Sequence, residues 1–191
     1  MNRIFKEGIE FANLNFKDSV LENGEYENCI FLSCDFTNSD LSNVNFLECQ
    51  FIECNLSLTK LNRTSFREVQ FLKCKLLGLH FEDCNNLIVS FEFDSCNLEL
   101  CSFYKLKLQK TLFKDCKIIE ADFTEADLMN ASLNNCDLQR TIFKNTNLER
   151  VDFSTSYNYS IDPNSNRLKK TKFSLPWITG LLDTFDIEIE K

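Results

Sequence analysis

Glycine and proline are almost missing from this chain: four and two in 191 residues. So few leave no room for phosphate-cradling loops, hairpin-rich β structure or low-complexity linkers. With one histidine, Ser-His or Cys-His chemistry would depend on His80 alone. The adjacent acids Glu82 and Asp83 would need a cleft to perturb their pKa values. No apolar run approaches the about 18 residues that a membrane helix requires. The opening MNRIFKEGIE is mixed and charged, unlike a secretory signal. The expectation is a cytoplasmic, non-catalytic chain with no cofactor, no metal and no membrane segment.

What is abundant is phenylalanine, 19 residues, and cysteine, ten. The stretch FLSCDFTNSDLSNVNFLECQF places Phe or Leu at 31, 36, 41, 46 and 51. A period of five matches neither the strand nor the helix template. A large side chain holds this register from Phe11 to Phe81 without a miss, then, two residues out of phase, from Phe93 to Phe153. Internal self-similarity of this kind outranks any local propensity.

Every cysteine sits two residues before a position in this register, although at Cys84 that position is Asn86, inside the slip. The same slot elsewhere holds Ser39, Thr59, Val44 or Ala121. Cysteine is therefore read as a small buried hydrophobe rather than a metal ligand, and free thiols are expected. If the large residue and the small one two before it both point inward, four pentapeptides close a square coil of twenty residues. Cys34, Cys54, Cys74, Cys96, Cys116 and Cys136 then form one column, spaced 20, 20, 22, 20 and 20. That column locates a two-residue insertion between Cys74 and Cys96, within residues 84–93.

Units such as CDFTN, SDLSN, ADFTE and ADLMN resemble the A(D/N)LXX motif of the pentapeptide-repeat family. The resemblance implies an all-β solenoid, a right-handed quadrilateral β-helix, here of about seven coils. The expected organisation is an N-terminal cap at 1–10, the β-helix at 11–155, and a C-terminal connector, α-helix and strand at 156–191. In the last part KFSLPWITGLLDTF offers Ser174 as N-cap, Pro176 in the first turn and an apolar face at helical spacing. In DIEIEK, Ile187 and Ile189 share one face of a short strand. Trp177, Ile178, Leu181, Leu182, Phe185 and Ile187 offer more apolar surface than one cap needs, which makes them candidates for a homodimer interface.

FLSCDFTNSDLSNVNFLECQF and TKFSLPWITGLLDTFDIEIE are similar to the quinolone-resistance (Qnr) branch of the family, which also includes the mycobacterial fluoroquinolone-resistance type. That similarity implies binding to a type II topoisomerase, DNA gyrase or topoisomerase IV, as a mimic of duplex DNA giving quinolone protection. No direct nucleic-acid binding is expected. Residues 11–155 carry 22 acidic and 14 basic side chains, against roughly 20 phosphates on a duplex of about 34 Å. A uniformly anionic rod is excluded. An acidic patch of Glu120, Asp122, Glu125 and Asp127 remains the candidate partner surface. The alternative is a structural or adaptor scaffold binding another protein, for which the apolar column Leu32, Ile52 and Leu72 would be the sign.

Overall fold

The computed structural model describes residues 4–17, 19–85, 89–185 and 187–190. Its strands are two to four residues long and pair in parallel with the strand one coil away. One face carries a nine-stranded ladder from Glu10–Ala12 to Lys172–Phe173, and a second face carries four strands from Ile4–Glu7 to Ser65–Arg67. The remaining faces are joined by isolated bridges such as Asp35 with Asn55 and Asp122 with Ile142. The result is a four-sided parallel solenoid of about eight turns.

The five-residue period is a period of burial. Phe31, Phe36, Leu41, Phe46 and Phe51 are all fully buried, as are Cys29, Cys34, Cys49 and Cys54 in the slots two residues before. Within a column the rings stack nearly parallel: Phe31 on Phe51 at 4.7 Å, Phe71 on Phe93 at 5.4 Å, Phe103 on Phe123 at 4.7 Å. Between columns they meet edge to face, as Phe31 does Phe46 at 82°. Both are favoured arrangements of the ring quadrupoles.

The small slot has a second requirement. Cys54 Sγ donates to the Phe31 carbonyl at 3.2 Å, and Thr64 Oγ1 to the Leu41 carbonyl at 2.8 Å. Both span the same 23 residues, so Cys and Thr interchange as compact donors to the backbone of the preceding coil. The Asp or Asn before each large residue also has a local task. Asp35, Asn55 and Asp122 accept the N–H two residues on, closing the corner as an Asx turn. Most corners place one residue at positive φ, almost always not glycine: Asn38 at 58°, Leu58 at 59°, Lys110 at 63°. Four glycines suffice because Asn, Leu, Lys and Glu take the left-handed corners.

The insertion is narrower than the sequence column gave. Asn85 N–H still bonds the Thr64 carbonyl in the twenty-residue register, whereas Val69 pairs with Phe91 at a spacing of 22. It therefore falls between Asn85 and Phe91, a stretch whose residues 86–88, with Asn86, lie outside the described residues.

Three expectations need correction. The ladder does not stop near 155: Asp137 bridges Tyr157, Asn147 bridges Arg167, and Phe153 pairs with Phe173, which adds a coil to the expected seven. The side-chain register hides this coil because Tyr159 and Ile161 fill the core out of phase while the backbone stays in step. The C-terminal helix is a 3-10 helix, Leu175–Leu181, not an α-helix, and Ser174 makes no side-chain cap bond. Seven residues with Pro176 and Gly180 among them are too short and too poor in propensity to hold an α-helix. Residues 187–190 belong to no strand.

All ten cysteines are free and buried. Burial pushes the thiols of Cys49 and Cys101 up to about 12 from 9.0. The folded chain thus keeps protons that the unfolded chain releases above pH 9, so stability is complete below pH 9 and falls as pH rises towards 12. Each of these thiols is expected to remove about 1.4 kcal/mol per pH unit in that window. Urea midpoints measured in reductant at pH 8, 9 and 10.5 should fall steadily after pH 9; a flat profile contradicts the buried thiol columns.

Candidate functional site

The exposed His80 places Nδ1 3.1 Å from Glu82 Oε1, beside the 3-10 turn Phe81–Asp83. Among the described residues no group of His, Cys, Asp or Glu is arranged to hold a metal ion. No helix among them is long and apolar enough to cross a membrane. The surfaces with functional content are the C-terminal end, the acidic coil and one corner groove.

At the C-terminal end, the 3-10 helix is laid against the last coil through two glycine-dependent contacts. Gly180 is buried, its carbonyl accepts the Ile161 N–H at 2.9 Å, and a Cβ added to it would lie 2.0 Å from the Tyr159 carbonyl oxygen. Leu181 turns inward onto the core. Trp177, at 6.1 Å from the Tyr157 ring, remains partly exposed, as do Ile178, Leu182, Phe185 and Ile187. A groove of about 400 Å³ is lined by Thr179, Leu182, Asp183, Phe185, Ile187 and Ile189. Five of the six residues singled out from the sequence thus face outward around this end, and Leu181 anchors them.

The acidic coil is more compensated than its sequence suggests. Glu120 pairs with Arg140, and Glu125 with Lys105 at 3.5 Å. Asp127 accepts from Gln109 and from Asn147 at 2.8 Å. Asp122 closes its own corner through the Thr124 N–H at 2.8 Å. Charge totals by segment conceal this, because each partner lies about one coil away; reading opposite signs at spacing twenty would have found the two ion pairs. The same vertical pairing recurs at Glu53 with Lys73, Asp94 with Lys114, and Asp152 with Lys172. On another face Lys17 and the Thr37 hydroxyl hold Asp35 down to about 2 against the raising effect of its partial desolvation.

A groove of about 330 Å³, not anticipated from the sequence, runs along one corner beside the insertion. Glu48, Glu68 and Ser90 line one wall, Gln50, Gln70 and Glu92 the other, with Cys49, Val69 and Phe91 between them. Gln50 Nε2 bonds Gln70 Oε1 at 3.0 Å, and Gln70 Nε2 bonds Glu92 Oε2 at 3.1 Å. The half-exposed apolar column Leu32, Ile52 and Leu72 stands in register on the neighbouring face.

The sequence profile of the pentapeptide repeat region matches residues 24–92 and 88–160. No curated protein matches the chain by sequence. Among solved structures it is similar to two trypsin-treated variants of QnrB1, described as a plasmid-mediated fluoroquinolone resistance protein. Each is 19% identical with a TM-score of 0.63, the first covering 98% of both chains, the second 96% of this chain and 99% of the other. HetL, a pentapeptide repeat protein involved in heterocyst differentiation regulation in Nostoc sp. strain PCC 7120, is 18% identical over 91% of this chain and 87% of that one, with a TM-score of 0.38.

Proposed function

The chain belongs to the pentapeptide-repeat family, and from that premise we propose that it is a non-catalytic rod that binds a type II topoisomerase, DNA gyrase above all, and protects it from fluoroquinolones. The observation that carries this reading is the extent of the likeness to QnrB1: 98% of both chains, so that the C-terminal end is matched along with the repeats. The rod offers its partner the carboxylates of one coil, Glu120, Asp122, Glu125 and Asp127, which run across a corner onto two adjacent faces, as the contact. Since Arg140 and Lys105 already pair with two of them, the partner reads a local surface rather than a net anionic rod.

Two copies join through the C-terminal end, burying Trp177, Ile178, Leu182, Phe185 and Ile187, with Leu181 as support. In about 1 M salt, where surface charge is screened, light scattering should give about twice the 22.3 kDa of one chain for the parent. Leu182→Glu with Phe185→Glu should give a single chain, and a parent that is monomeric throughout would defeat the joint. For the topoisomerase reading, purified gyrase should retain the protein in sedimentation, and Asp122→Lys with Asp127→Lys should weaken retention about tenfold, or 1.4 kcal/mol. Equal retention of parent and variant would remove this surface from the proposal.

The second reading, an adaptor scaffold, is favoured by the half-exposed column Leu32, Ile52 and Leu72. It predicts that Ile52→Lys abolishes capture of a partner while leaving gyrase unaffected.

A further inference from the structure

On three of the four corners of the rod, wherever charged residues stand in adjacent coils among the described residues, they are of opposite sign. Glu53 stands against Lys73, Glu120 against Arg140, and Lys105 against Glu125; Arg63 N–H bonds the Asp83 carbonyl one coil on. The fourth corner breaks this rule. Its residues, one per coil, are Gly8, Asn28, Glu48, Glu68, Ser90, Lys110, Asn130, Arg150 and Lys170, kept in step by the strand pairing beside them. Glu48 stacks on Glu68, and Arg150 on Lys170, about 4.8 Å apart as neighbouring parallel strands are. None of these four has an ion-pair partner among the described residues. Like charges in adjacent coils repel, and no ion pair among the described residues offsets them.

The pattern is antisymmetric about Lys110. Glu68 lies two coils before it and Arg150 two coils after; Glu48 lies three before and Lys170 three after. Ser90 and Asn130 stand one coil away on either side. The neighbouring column follows the same symmetry for two coils either side of Gln109, Val89 with Met129 and Arg67 with Glu149, and departs from it at three, where Leu47 answers Lys169. The acidic half also carries the groove lined by Glu48, Glu68 and Glu92.

We propose that this corner is the self-complementary surface of a side-by-side antiparallel pair of rods, its occupant a second copy of this chain. A two-fold axis at the level of Lys110, perpendicular to the rods, lays each column against itself reversed. Glu68 of one copy then meets Arg150 of the other, Glu48 meets Lys170, Arg67 meets Glu149, and Val89 meets Met129, each contact made twice. This is an isologous contact that closes at two copies. A parallel pair would instead set acidic halves beside acidic halves. Lys110 meets its own copy at the axis, the one like-charge approach in the arrangement, so removing that charge should strengthen the pair. The contact is distinct from the apolar one at the C-terminal end and stands whatever the rod binds.

Because the native cysteines are all buried, a surface cysteine reports position cleanly. In dilute salt with a mild oxidant, Lys110→Cys should form a disulfide-linked dimer about tenfold or more faster than Asp115→Cys, which lies in the same coil one corner away. High salt should erase the difference. Adding Glu48→Lys with Glu68→Lys to Lys110→Cys should abolish the cross-link, as should adding Arg150→Glu with Lys170→Glu. A mixture of those two proteins should regain it, since each corner is then of one sign and opposite to the other. Equal cross-linking at positions 110 and 115, or cross-linking indifferent to salt and to charge reversal, would overturn the proposal.

Discussion

Phe93→Ala is expected to lower the unfolding free energy by about 3–5 kcal/mol, the cost of emptying a site that its neighbours cannot refill. Phe93 is fully buried, stacked between Phe71 at 5.4 Å and Phe113 at 5.2 Å, with Phe81 edge-on at 5.8 Å and Phe91 tilted against it at 5.6 Å. It lies in the coil that follows the insertion, where the ladder has just changed spacing from 20 to 22. A solenoid is held by each coil's contact with the next, so a hole at this level weakens the link between the two halves of the rod. The denaturation midpoint should fall accordingly, and the transition should lose cooperativity as the two halves separate. Phe5→Ala, which removes an exposed ring, should change stability by about 0.5 kcal/mol or less. Similar effects for the two substitutions would mean that the phenylalanine columns are not what holds the coils together.

Gly180→Ala is expected to detach the C-terminal segment from the rod. The added Cβ would fall 2.0 Å from the Tyr159 carbonyl oxygen, and backbone atoms on both sides cannot yield as the tip of a side chain can. Relieving the clash would also separate the Gly180 carbonyl from the Ile161 N–H, now at 2.9 Å. Together these should cost about 2–4 kcal/mol. Trp177, the single tryptophan, should lose its contact with Tyr157 and shift its emission to longer wavelength under native conditions. Self-association through the same end should be lost with it. An unchanged emission maximum and midpoint would show that the 3-10 helix does not depend on that close approach.

The core of this protein is written in its sequence with little ambiguity. A large residue every five positions and a small donor two before it are side-chain requirements of each coil. Phe31, Phe46, Cys54 and Thr64 were therefore placed correctly by spacing alone. Features set by the backbone were harder to see. The final coil keeps its bridges through Tyr157 and Arg167, but Asn158 and Pro163 stand where large residues belong and Tyr159 and Ile161 fill the core instead, so counting large residues ends the rod one coil early. The C-terminal apolar spacing signalled an apolar surface but not the 3-10 form, which follows from a segment of seven residues that includes Pro176 and Gly180. Surface function is least legible, because a column on the rod joins residues twenty or more apart. The pairing of Glu120 with Arg140, and the stacking of Glu48 on Glu68, emerge only once the coils are superposed.

The proposed function is tested most directly by gyrase supercoiling in the presence of ciprofloxacin, with the purified protein titrated from well below to well above the enzyme concentration. The account predicts that supercoiling is restored as the protein reaches near-stoichiometric amounts, and that Asp122→Lys with Asp127→Lys loses the rescue while retaining the fold. Supercoiling that stays inhibited at every protein concentration, with gyrase from the same source as this chain, would contradict it.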